Sequence, residues 1–289
     1  MPIVVLIAGP SRPLDPAALV ALRNAWGGGE PRWLAPDLAA EFEVPDLPDN
    51  LWQVWEELQG LRVDLCPLPD GPRRKRLLIA DMDSTMIGQE CIDELADMAG
   101  VGDRVKEITA RAMNGELGFE GALRERVALL AGLPERVIGE VLASRITEAP
   151  GGRTLIATMK AHGAETLLVS GGFTAFSAAV AERLGFDRHQ ANVLLAEGGT
   201  LTGEVAEPIL GREAKVAALE TAVARLEISA DDVIAVGDGA NDLGMLHQAG
   251  MGVALHAKPA VAAEVGLRVN HGDLTSLLYL QGYSADEFA

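Results

Sequence analysis

The chain has 289 residues, of which 48% are apolar and 23% charged, so it is long enough to bury a sizeable core and has a globular composition. A formal net charge of −18 repels polyanions, which argues against a nucleic-acid partner and against docking on an acidic membrane. With only two cysteines and no apolar run of bilayer length, we expect a cytoplasmic protein whose partner is a small molecule.

The first 70 residues predict a small α/β module. Strand-like apolar pieces alternate there with amphipathic helix-like pieces, in the order VVLIA, DPAALVALRNAW, PRWLAP, NLWQVWEELQG and LRVDLC. The stretch PLPDGPRRKR at 67–76 combines turn formers with a basic cluster, so we expect a linker whose RRKR run is solvated. The module contains no phosphate loop or carboxylate cluster, and its residues therefore indicate no catalytic task.

The remainder of the chain, residues 77–289, predicts a doubly wound parallel sheet. LLIAD at 77–81 is a continuous apolar run that ends in an acid, which is typical of a strand buried on both faces. Similar runs recur, each followed by a helical pattern: TLLVS at 166–170, VIAVGD at 233–238 and MGVAL at 251–255. The expected fold class is therefore α/β.

A helical cap is predicted between the first two of these strands, at about 89–145. The region has no strand character, and its apolar residues recur at helical spacing in four groups. Four short helices there would cover the edge of the sheet where ligands bind. A later segment, ANVLLAEGGTLTGEV at 191–205, indicates a hairpin with a glycine-rich turn.

Polar residues follow three of the apolar runs, and in open α/β sheets ligands gather outside the carboxyl ends of the strands. The three sequences are Asp81-Met82-Asp83-Ser84-Thr85, Ser170-Gly171-Gly172 and Gly237-Asp238-Gly239-Ala240-Asn241-Asp242. Carboxylates from two strand ends can hold a hard divalent cation and leave positions for phosphate oxygen and water. The set predicts a Mg²⁺ site.

These motifs, with an isolated lysine at Lys215 between the second and third, resemble the haloacid dehalogenase superfamily. Within it the chain resembles the phosphoserine phosphatases, through ECIDE at 90–94, AMNGELGF at 112–119 and LRERV at 123–127. The resemblance implies a haloacid-dehalogenase-like core with a helical cap. It also implies that the N-terminal module is ACT-like and regulatory, although the module is short and lacks a clear ligand signature, as a degenerate copy would.

The chemistry of phosphate-ester hydrolysis assigns roles to the first two acids. A carboxylate can attack phosphorus when cations neutralise the phosphoryl oxygens, so Asp81 is the expected nucleophile and one metal ligand. Asp83 is expected to protonate the leaving oxygen and then take a proton from water. The resemblance implies that Asp83 also ligates the metal through its backbone carbonyl and that Asp238 adds a side-chain ligand. It implies that Asp242 holds the ligating residues in place without contacting the metal itself.

Binding of the phosphoryl group requires fixed donors, because its negative charge is spread over several oxygens. Ser170, the amide of Gly171 and Lys215 are expected to provide them. The resemblance also favours a substrate contact for Asn241, whose alternative role is to cap the helix that follows.

Residues of the cap would select the ester. A phosphorylated amino acid presents an ammonium and a carboxylate, and Glu90 and Arg126 are the candidates that would pair with them. Met113 and Phe119 would form an apolar wall that excludes water. The alternatives are that Glu90 and Arg126 lie on solvated helix faces and that the two apolar residues belong to the core of the cap.

The predicted function is hydrolysis of O-phospho-L-serine to serine and phosphate, the last step of serine biosynthesis, by a protein that forms a homodimer. Two alternatives stay open. The chain could be a related Mg²⁺-dependent phosphatase or phosphotransferase that acts on another small phosphate ester. It could instead be a regulatory protein that senses amino acids on the same fold.

Overall fold

The computed structural model describes residues 1–113 and 116–289. Its N-terminal part is a four-stranded antiparallel sheet, in the order β2-β3-β1-β4, with two helices on one face. The elements are β1 (Ile3–Ala8), α1 (Pro16–Ala25), β2 (Arg32–Ala35), β3 (Ala39–Glu43), α2 (Leu51–Gln59) and β4 (Val63–Leu68). The predicted α/β module is confirmed, with β3 as a strand that the sequence pattern did not predict.

The second sheet has six parallel strands in the order β12-β11-β10-β5-β6-β7. These strands are β5 (Leu77–Ala80), β6 (Glu165–Phe173), β7 (Arg188–Asn192), β10 (Val233–Gly237), β11 (Met251–Leu255) and β12 (Leu267–Val269). The strand order reverses at β5, which has β6 on one side and β10 on the other. Such a switch point opens a crevice at the carboxyl ends of the strands, where ligands bind.

Helices cover both faces of this sheet, so the doubly wound fold is confirmed. They are α7 (Gly152–Ala161), α8 (Thr174–Leu184), α9 (Arg212–Leu226), α10 (Leu243–Gln248), α11 (Pro259–Ala262) and α12 (Ser276–Leu280). Along β5, Leu78 and Ala80 join the core on one face, and Leu77 and Ile79 join the core on the other. Because all four side chains are buried, this strand reads as a continuous apolar run rather than an alternating one.

The cap consists of four short helices, as predicted. They are α3 (Cys91–Met98), α4 (Gly102–Met113), α5 (Phe119–Ala128) and α6 (Arg136–Ser144). The chain enters and leaves the cap through two adjacent segments, where the amide of Gly88 donates to Thr147 O at 3.0 Å and that of Ala149 donates to Met86 O at 2.9 Å. We call these paired segments, residues 86–89 and 147–150, the hinge.

The predicted hairpin is also present, as β8 (Leu194–Glu197) and β9 (Thr200–Val205). It lies against α5, and Leu201 on β9 exchanges backbone hydrogen bonds with Gly132 and Leu133, which follow that helix. The hairpin therefore supports the cap from the side of the core.

The N-terminal sheet is attached to the six-stranded domain by packing and by one buried acid. Val5, Ile7 and Cys66 on one face of this sheet belong to the same apolar cluster as Tyr279 of the core. Asp64 on β4 is fully buried and accepts hydrogen bonds from three successive backbone amides, those of residues 270, 271 and 272, at 2.8 to 3.0 Å. These bonds fix the edge of the module to the loop that follows β12.

The prediction that the RRKR run is solvated is wrong for two of its residues. Lys75 is buried, and its Nζ donates to the carbonyl oxygens of Pro72 at 2.7 Å and Asp231 at 2.8 Å. Arg73 pairs with Glu41 of β3 at 2.7 Å. The basic cluster is partly internal because backbone carbonyls and a carboxylate satisfy its charges. Among the described residues, no helix is long and apolar enough to cross a membrane.

Candidate active site

The crevice at the switch point contains a buried ion cluster around Lys215. Asp81 follows β5 directly, and Lys215 projects from the first turn of α9. Lys215 Nζ lies 2.5 Å from Asp81 Oδ1 and 2.5 Å from Asp242 Oδ1, and all three side chains are buried. The structure therefore brings together the acid, the lysine and the second acid that the sequence placed in three separate motifs.

The charges in this cluster depend on one another. Burial raises the pKa of Asp81 well above its usual range, and the negative charge of Asp242 adds to the rise while Lys215 opposes it. Burial alone would lower the pKa of Lys215, but the carboxylates of Asp81 and Asp242 outweigh it and raise that pKa above its ordinary value. Lys215 is thus held as a cation beside the carboxylate of Asp81.

Asp83 occupies a different position, facing the C-terminal end of β6. Its Oδ1 accepts from the amide of Cys91 at 3.1 Å, and its Oδ2 accepts from Ser170 Oγ at 3.3 Å. Burial, with the nearby charge of Glu90, raises the pKa of Asp83 to about 6. A carboxyl group with such a pKa can both give and take a proton near neutral pH.

Gly172 makes room for the Asp83 carboxylate. A Cβ atom at this position would lie 2.7 Å from Asp83 Oδ2 and 3.0 Å from Ser170 Oγ, which is closer than real contacts allow. The amide of Gly172 donates to Ser170 Oγ at 2.8 Å, so the same residue also orients the serine hydroxyl. Glycine is therefore required at this position because Asp83 and Ser170 approach its backbone closely, and not because the chain turns there.

Three carboxylates could hold a metal ion. Asp81, Asp238 and Asp242 place one oxygen each within 4.8 Å of one another. Thr85 Oγ1 donates to Asp238 Oδ1 at 3.3 Å, and the amide of Gly239 donates to Asp242 Oδ2 at 2.9 Å. Oxygen donors at this spacing fit a hard divalent cation. The carboxylate of Asp83 lies outside this group.

A cavity of about 400 Å³ extends from these acids toward the cap. Glycines at the end of β6 and acids that follow β5 and β10 form its floor, and residues of α3, α4 and α5 form its roof. The predicted site residues that line it are Asp81, Asp83, Glu90, Phe119, Arg126, Gly171, Asp238 and Asn241. Its volume suits a small molecule.

The roof of the cavity carries the charges predicted to select the substrate. Glu90 Oε1 accepts from Ser84 Oγ at 2.7 Å, and Ser84 has a left-handed backbone conformation with φ of 56°. Arg126 donates from Nε to Ala122 O at 3.2 Å, and its pKa is lowered by burial, a shift that the neighbouring acids oppose. Opposite charges are therefore available on the cap side.

Phe119 closes the cavity against the core. Its ring atoms lie 3.2 Å from the position of a Cβ on Gly171 and 3.1 Å from the corresponding position on Gly211. The cap thus contacts the core directly in this structure, through an aromatic side chain packed on two glycines. The side chain of Met113, the other predicted apolar wall residue, lies outside the described residues.

Comparison with known proteins gives the family of the chain. A family model described as haloacid dehalogenase-like hydrolase matches residues 78–247. The chain belongs to the haloacid dehalogenase-like hydrolases. The match covers more than half of the chain and includes every motif that forms the crevice.

Curated relatives of the chain within this family are named as phosphoserine phosphatases. The chain is 45% identical over 257 residues to "Phosphoserine phosphatase" of Streptomyces coelicolor, covering 87% of this chain and 62% of that protein. It is 43% identical over 213 residues to "Phosphoserine phosphatase" of Lactococcus lactis, covering 74% of this chain and 98% of that protein. The chain thus spans about three fifths of the Streptomyces relative and nearly all of the Lactococcus relative.

Solved structures of related hydrolases show how much of the architecture is shared. A HAD family hydrolase from Salmonella enterica serovar Typhi aligns with a TM-score of 0.87 and 30% identity over 97% of this chain and 98% of its own. A probable phosphoserine phosphatase from Vibrio cholerae aligns with a TM-score of 0.80 and 32% identity, over 99% and 88%. A structure named as a phospho-aspartyl intermediate analogue of phosphoserine phosphatase aligns with a TM-score of 0.66 and 39% identity, over 71% of this chain and 98% of its own.

Four residues of this hydrolase contribute to the site although they were not predicted from the sequence. Thr85 holds Asp238, and Asp93 and Lys258 line the cavity. Asn192 is buried and joins the C-terminal end of β6 to the segment before α9, donating to Gly171 O at 2.8 Å and Leu210 O at 3.1 Å. Lys258 could have been found from its sequence position, three residues after β11, by the same rule that found Asp238. Asn192 had no comparable signal.

Proposed function

We propose that the chain is a Mg²⁺-dependent phosphatase that hydrolyses O-phospho-L-serine to L-serine and phosphate through an aspartyl-phosphate on Asp81. The observation that carries the proposal is the arrangement around Asp81. A lysine and a second acid hold this carboxylate at one end of a small cavity, Asp83 lies beside it, and Glu90 and Arg126 lie across from it. The relatives named as phosphoserine phosphatases support the same reading.

In the proposed first step, an oxygen of the Asp81 carboxylate attacks phosphorus, and the bond between phosphorus and the serine oxygen breaks. Asp83 gives its proton to the departing oxygen. In the second step Asp83 takes a proton from water as the water attacks phosphorus, which releases phosphate and restores Asp81. Hydrogen bonds from Cys91 N and Ser170 Oγ keep the Asp83 carboxylate in place for both transfers.

Positive charge and donors would hold the phosphoryl group during these steps. The amide of Gly171, which lines the cavity with Asn241, would provide one donor. Ser170 and Lys215 contact the lining residues Asp83 and Asp81 and would provide the others. Asp81 and Asp238, with the backbone carbonyl of Asp83, would hold Mg²⁺, and Asp242 would support them. When bound, the ion supplies further neutralisation of the phosphoryl oxygens.

Selection of phosphoserine is assigned to the cap. Glu90 would pair with the substrate ammonium and Arg126 with its carboxylate, while Phe119 and Met113 exclude bulk water. Ser84 positions Glu90 through its hydroxyl, and Asp93 acts electrostatically on Arg126. An ester without an amino-acid group would lose both charged contacts.

The proposal extends to the setting of the enzyme. The chain would comprise a regulatory module at 1–70 and a core at 77–289 with its cap at about 89–145. It would act in the cytoplasm, as a homodimer, in the last step of serine biosynthesis. Light scattering on the full chain tests the dimer.

A panel of small phosphate esters, assayed with and without Mg²⁺, tests the activity. Phosphoserine should have the highest kcat/KM, and activity should require the metal. A higher kcat/KM for a phosphorylated sugar or homoserine would favour the related phosphatase or phosphotransferase instead. Binding of free amino acids without hydrolysis of any ester would favour the sensing protein.

A further inference from the structure

Asn192 is the last residue of β7, and its side chain joins two segments that are distant in the chain. Its Nδ2 donates to Gly171 O at 2.8 Å and to Leu210 O at 3.1 Å, and its Oδ1 accepts from the amide of Leu210 at 2.7 Å. The residue is 2% exposed. Because breaking any of these bonds would leave a buried polar group unsatisfied, the side chain holds the two segments at a fixed distance.

The two segments differ in what else holds them. Gly171 belongs to β6, which pairs with β5 on one side and with β7 on the other. Leu210 lies between β9 and α9, outside any strand or helix, and both polar groups of its backbone bond to Asn192. The strand is therefore the fixed partner, and Asn192 determines where the Leu210 segment lies relative to it.

The residue after Leu210 is Gly211, which the cap contacts together with Gly171. Phe119 begins α5, and its ring lies 3.2 Å from the position of a Cβ on Gly171 and 3.1 Å from that on Gly211. We call these two glycines the ring seat. Asn192 links the two halves of the ring seat, so moving the Leu210 segment away from β6 would open a gap under the ring.

We infer that Asn192 is a positioning residue for closure of the cap. It is not among the described residues that line the active-site cavity, so it acts through the ring seat and not by contact with the substrate. With both glycines in place, Phe119 closes the cavity, excludes bulk water and keeps the charges of the cap over the substrate. The effect on the cap follows from these contacts alone, whereas the effect on turnover rests on the proposed phosphatase function.

Gln281 provides a matched control, because it is also a buried amide that joins two segments. It is 1% exposed, its Nε2 donates to Leu277 O at 3.0 Å, and its Oε1 accepts from the amide of Lys75 at 3.0 Å. Lys75 precedes β5, whereas Asp81 follows it, so Gln281 lies near the opposite end of that strand from the active site. Gln281→Ala therefore removes similar bonds without touching the ring seat.

Hydrogen-exchange mass spectrometry on the full chain tests the effect on the cap without relying on activity. In Asn192→Ala the peptide that covers α5 should exchange at least about threefold faster than in wild type, because the ring seat no longer holds this helix against the core. Gln281→Ala should leave that peptide unchanged. Unchanged exchange in Asn192→Ala, or equal acceleration in the two variants, overturns the inference. Asn192→Ser, whose hydroxyl retains part of the bonding, replaces Asn192→Ala if the latter does not fold.

A double-mutant cycle with Phe119→Ala tests the effect on turnover. Asn192→Ala alone should lower kcat/KM for phosphoserine at least about tenfold, which is within the range expected when a closing element is misplaced. In the Phe119→Ala background the same substitution should cost less than about threefold, because the ring it positions is already absent. Gln281→Ala should leave kcat/KM unchanged. Equal losses in the two backgrounds overturn the role of Asn192 in positioning Phe119. A wild-type protein that is inactive on phosphoserine contradicts the proposed function instead, and the exchange experiment then decides the inference.

Discussion

The two cavities on either side of the loop after β5 differ in almost every property. The active-site cavity has five acids, Arg126 and Lys258 among its lining residues, whereas a larger cleft of about 650 Å³ between the N-terminal sheet and the core has a mostly apolar surface. The same short segment, residues 81–85, contributes to both: Asp81 and Asp83 face the first, and Ser84 and Thr85 border the second. One loop can therefore carry catalytic groups on one side and, on the other, contacts through which the rest of the protein acts on them.

The largest effect should come from the catalytic side, at Asp81. Asp81→Asn keeps the shape of the side chain but cannot form the acyl phosphate, so kcat for phosphoserine should fall at least about a thousandfold. Circular dichroism should show an unchanged fold. Residual activity within tenfold of wild type would remove Asp81 as the nucleophile.

An effect on stability rather than on catalysis is expected where the N-terminal module attaches to the core. Asp64→Ala leaves three buried or half-buried backbone amides without an acceptor, and should lower the free energy of unfolding by about 3 kcal/mol. Asp70→Ala is the matched control, because Asp70 is largely exposed and its ion pair, within the described part of the chain, is with the N-terminus. Urea denaturation gives both values. An equal cost for the two variants would show that the Asp64 bonds do not anchor the module.

Gly172 tests whether close packing positions the acid and base. In Gly172→Ala the new Cβ would displace the Asp83 carboxylate, and kcat should fall by about a hundredfold, within the range of lost acid and base catalysis. Gly121→Ala in α5 is the control, because no atom of the described residues outside its own helix lies within 4 Å of its added Cβ. Similar kcat values for both variants would contradict the positioning role.

Arg126 separates selection from chemistry. If its contact with the substrate carboxylate is desolvated, its loss costs roughly 2 to 5 kcal/mol, so Arg126→Ala should lower kcat/KM for phosphoserine at least about thirtyfold. Activity on p-nitrophenyl phosphate should change much less, since that ester lacks the carboxylate. Arg124→Ala on the same helix removes an exposed pair with Glu207 and is the control. Equal losses on both substrates in Arg126→Ala would assign the residue to cap stability or phosphate binding.

The smallest effect concerns the affinity for Mg²⁺ as pH changes. Burial, with the charges of Asp242 and Glu90, raises the pKa of Asp238 to about 6. Because the metal binds the ionised carboxylate, protons compete with it below that pH, and the apparent affinity should fall up to about tenfold per pH unit. Calorimetric titration between pH 5 and 7.5 measures this. A constant affinity across the range would exclude Asp238 as a titrating ligand.

The fold could be predicted because most of its strands and helices have a recognisable pattern in their own stretch of sequence. LLIAD and VIAVGD are strands buried on both faces, and such strands keep their apolar pattern wherever they pair. Asp81 and Asp238 could be placed at one edge in advance because parallel strands share their carboxyl ends. Lys215, in the first turn of α9, was predicted only from the family resemblance. The short strand β3 was missed although Ala40, Phe42 and Val44 alternate with two glutamates, because the pattern is only a few residues long.

What could not be predicted depends on contacts between distant segments. Lys75 looks solvated in sequence, but carbonyl oxygens of Pro72 and Asp231 surround its ammonium in the fold. Asn192 ties two segments of the site together from the end of β7, and no motif marks it. The larger cleft combines residues from near both ends of the chain, at 7–10 and 271–279, so its existence follows from packing alone.

The covalent step on Asp81 is the central claim, and trapping the intermediate tests it most directly. Phosphoserine is mixed with the enzyme for one turnover, the reaction is quenched in acid, and the digested protein is analysed by mass spectrometry. The account predicts one added phosphoryl group on the peptide that contains Asp81, and none in Asp81→Asn. A phosphoryl group on another residue, or turnover in which no phosphorylated enzyme forms, would contradict it.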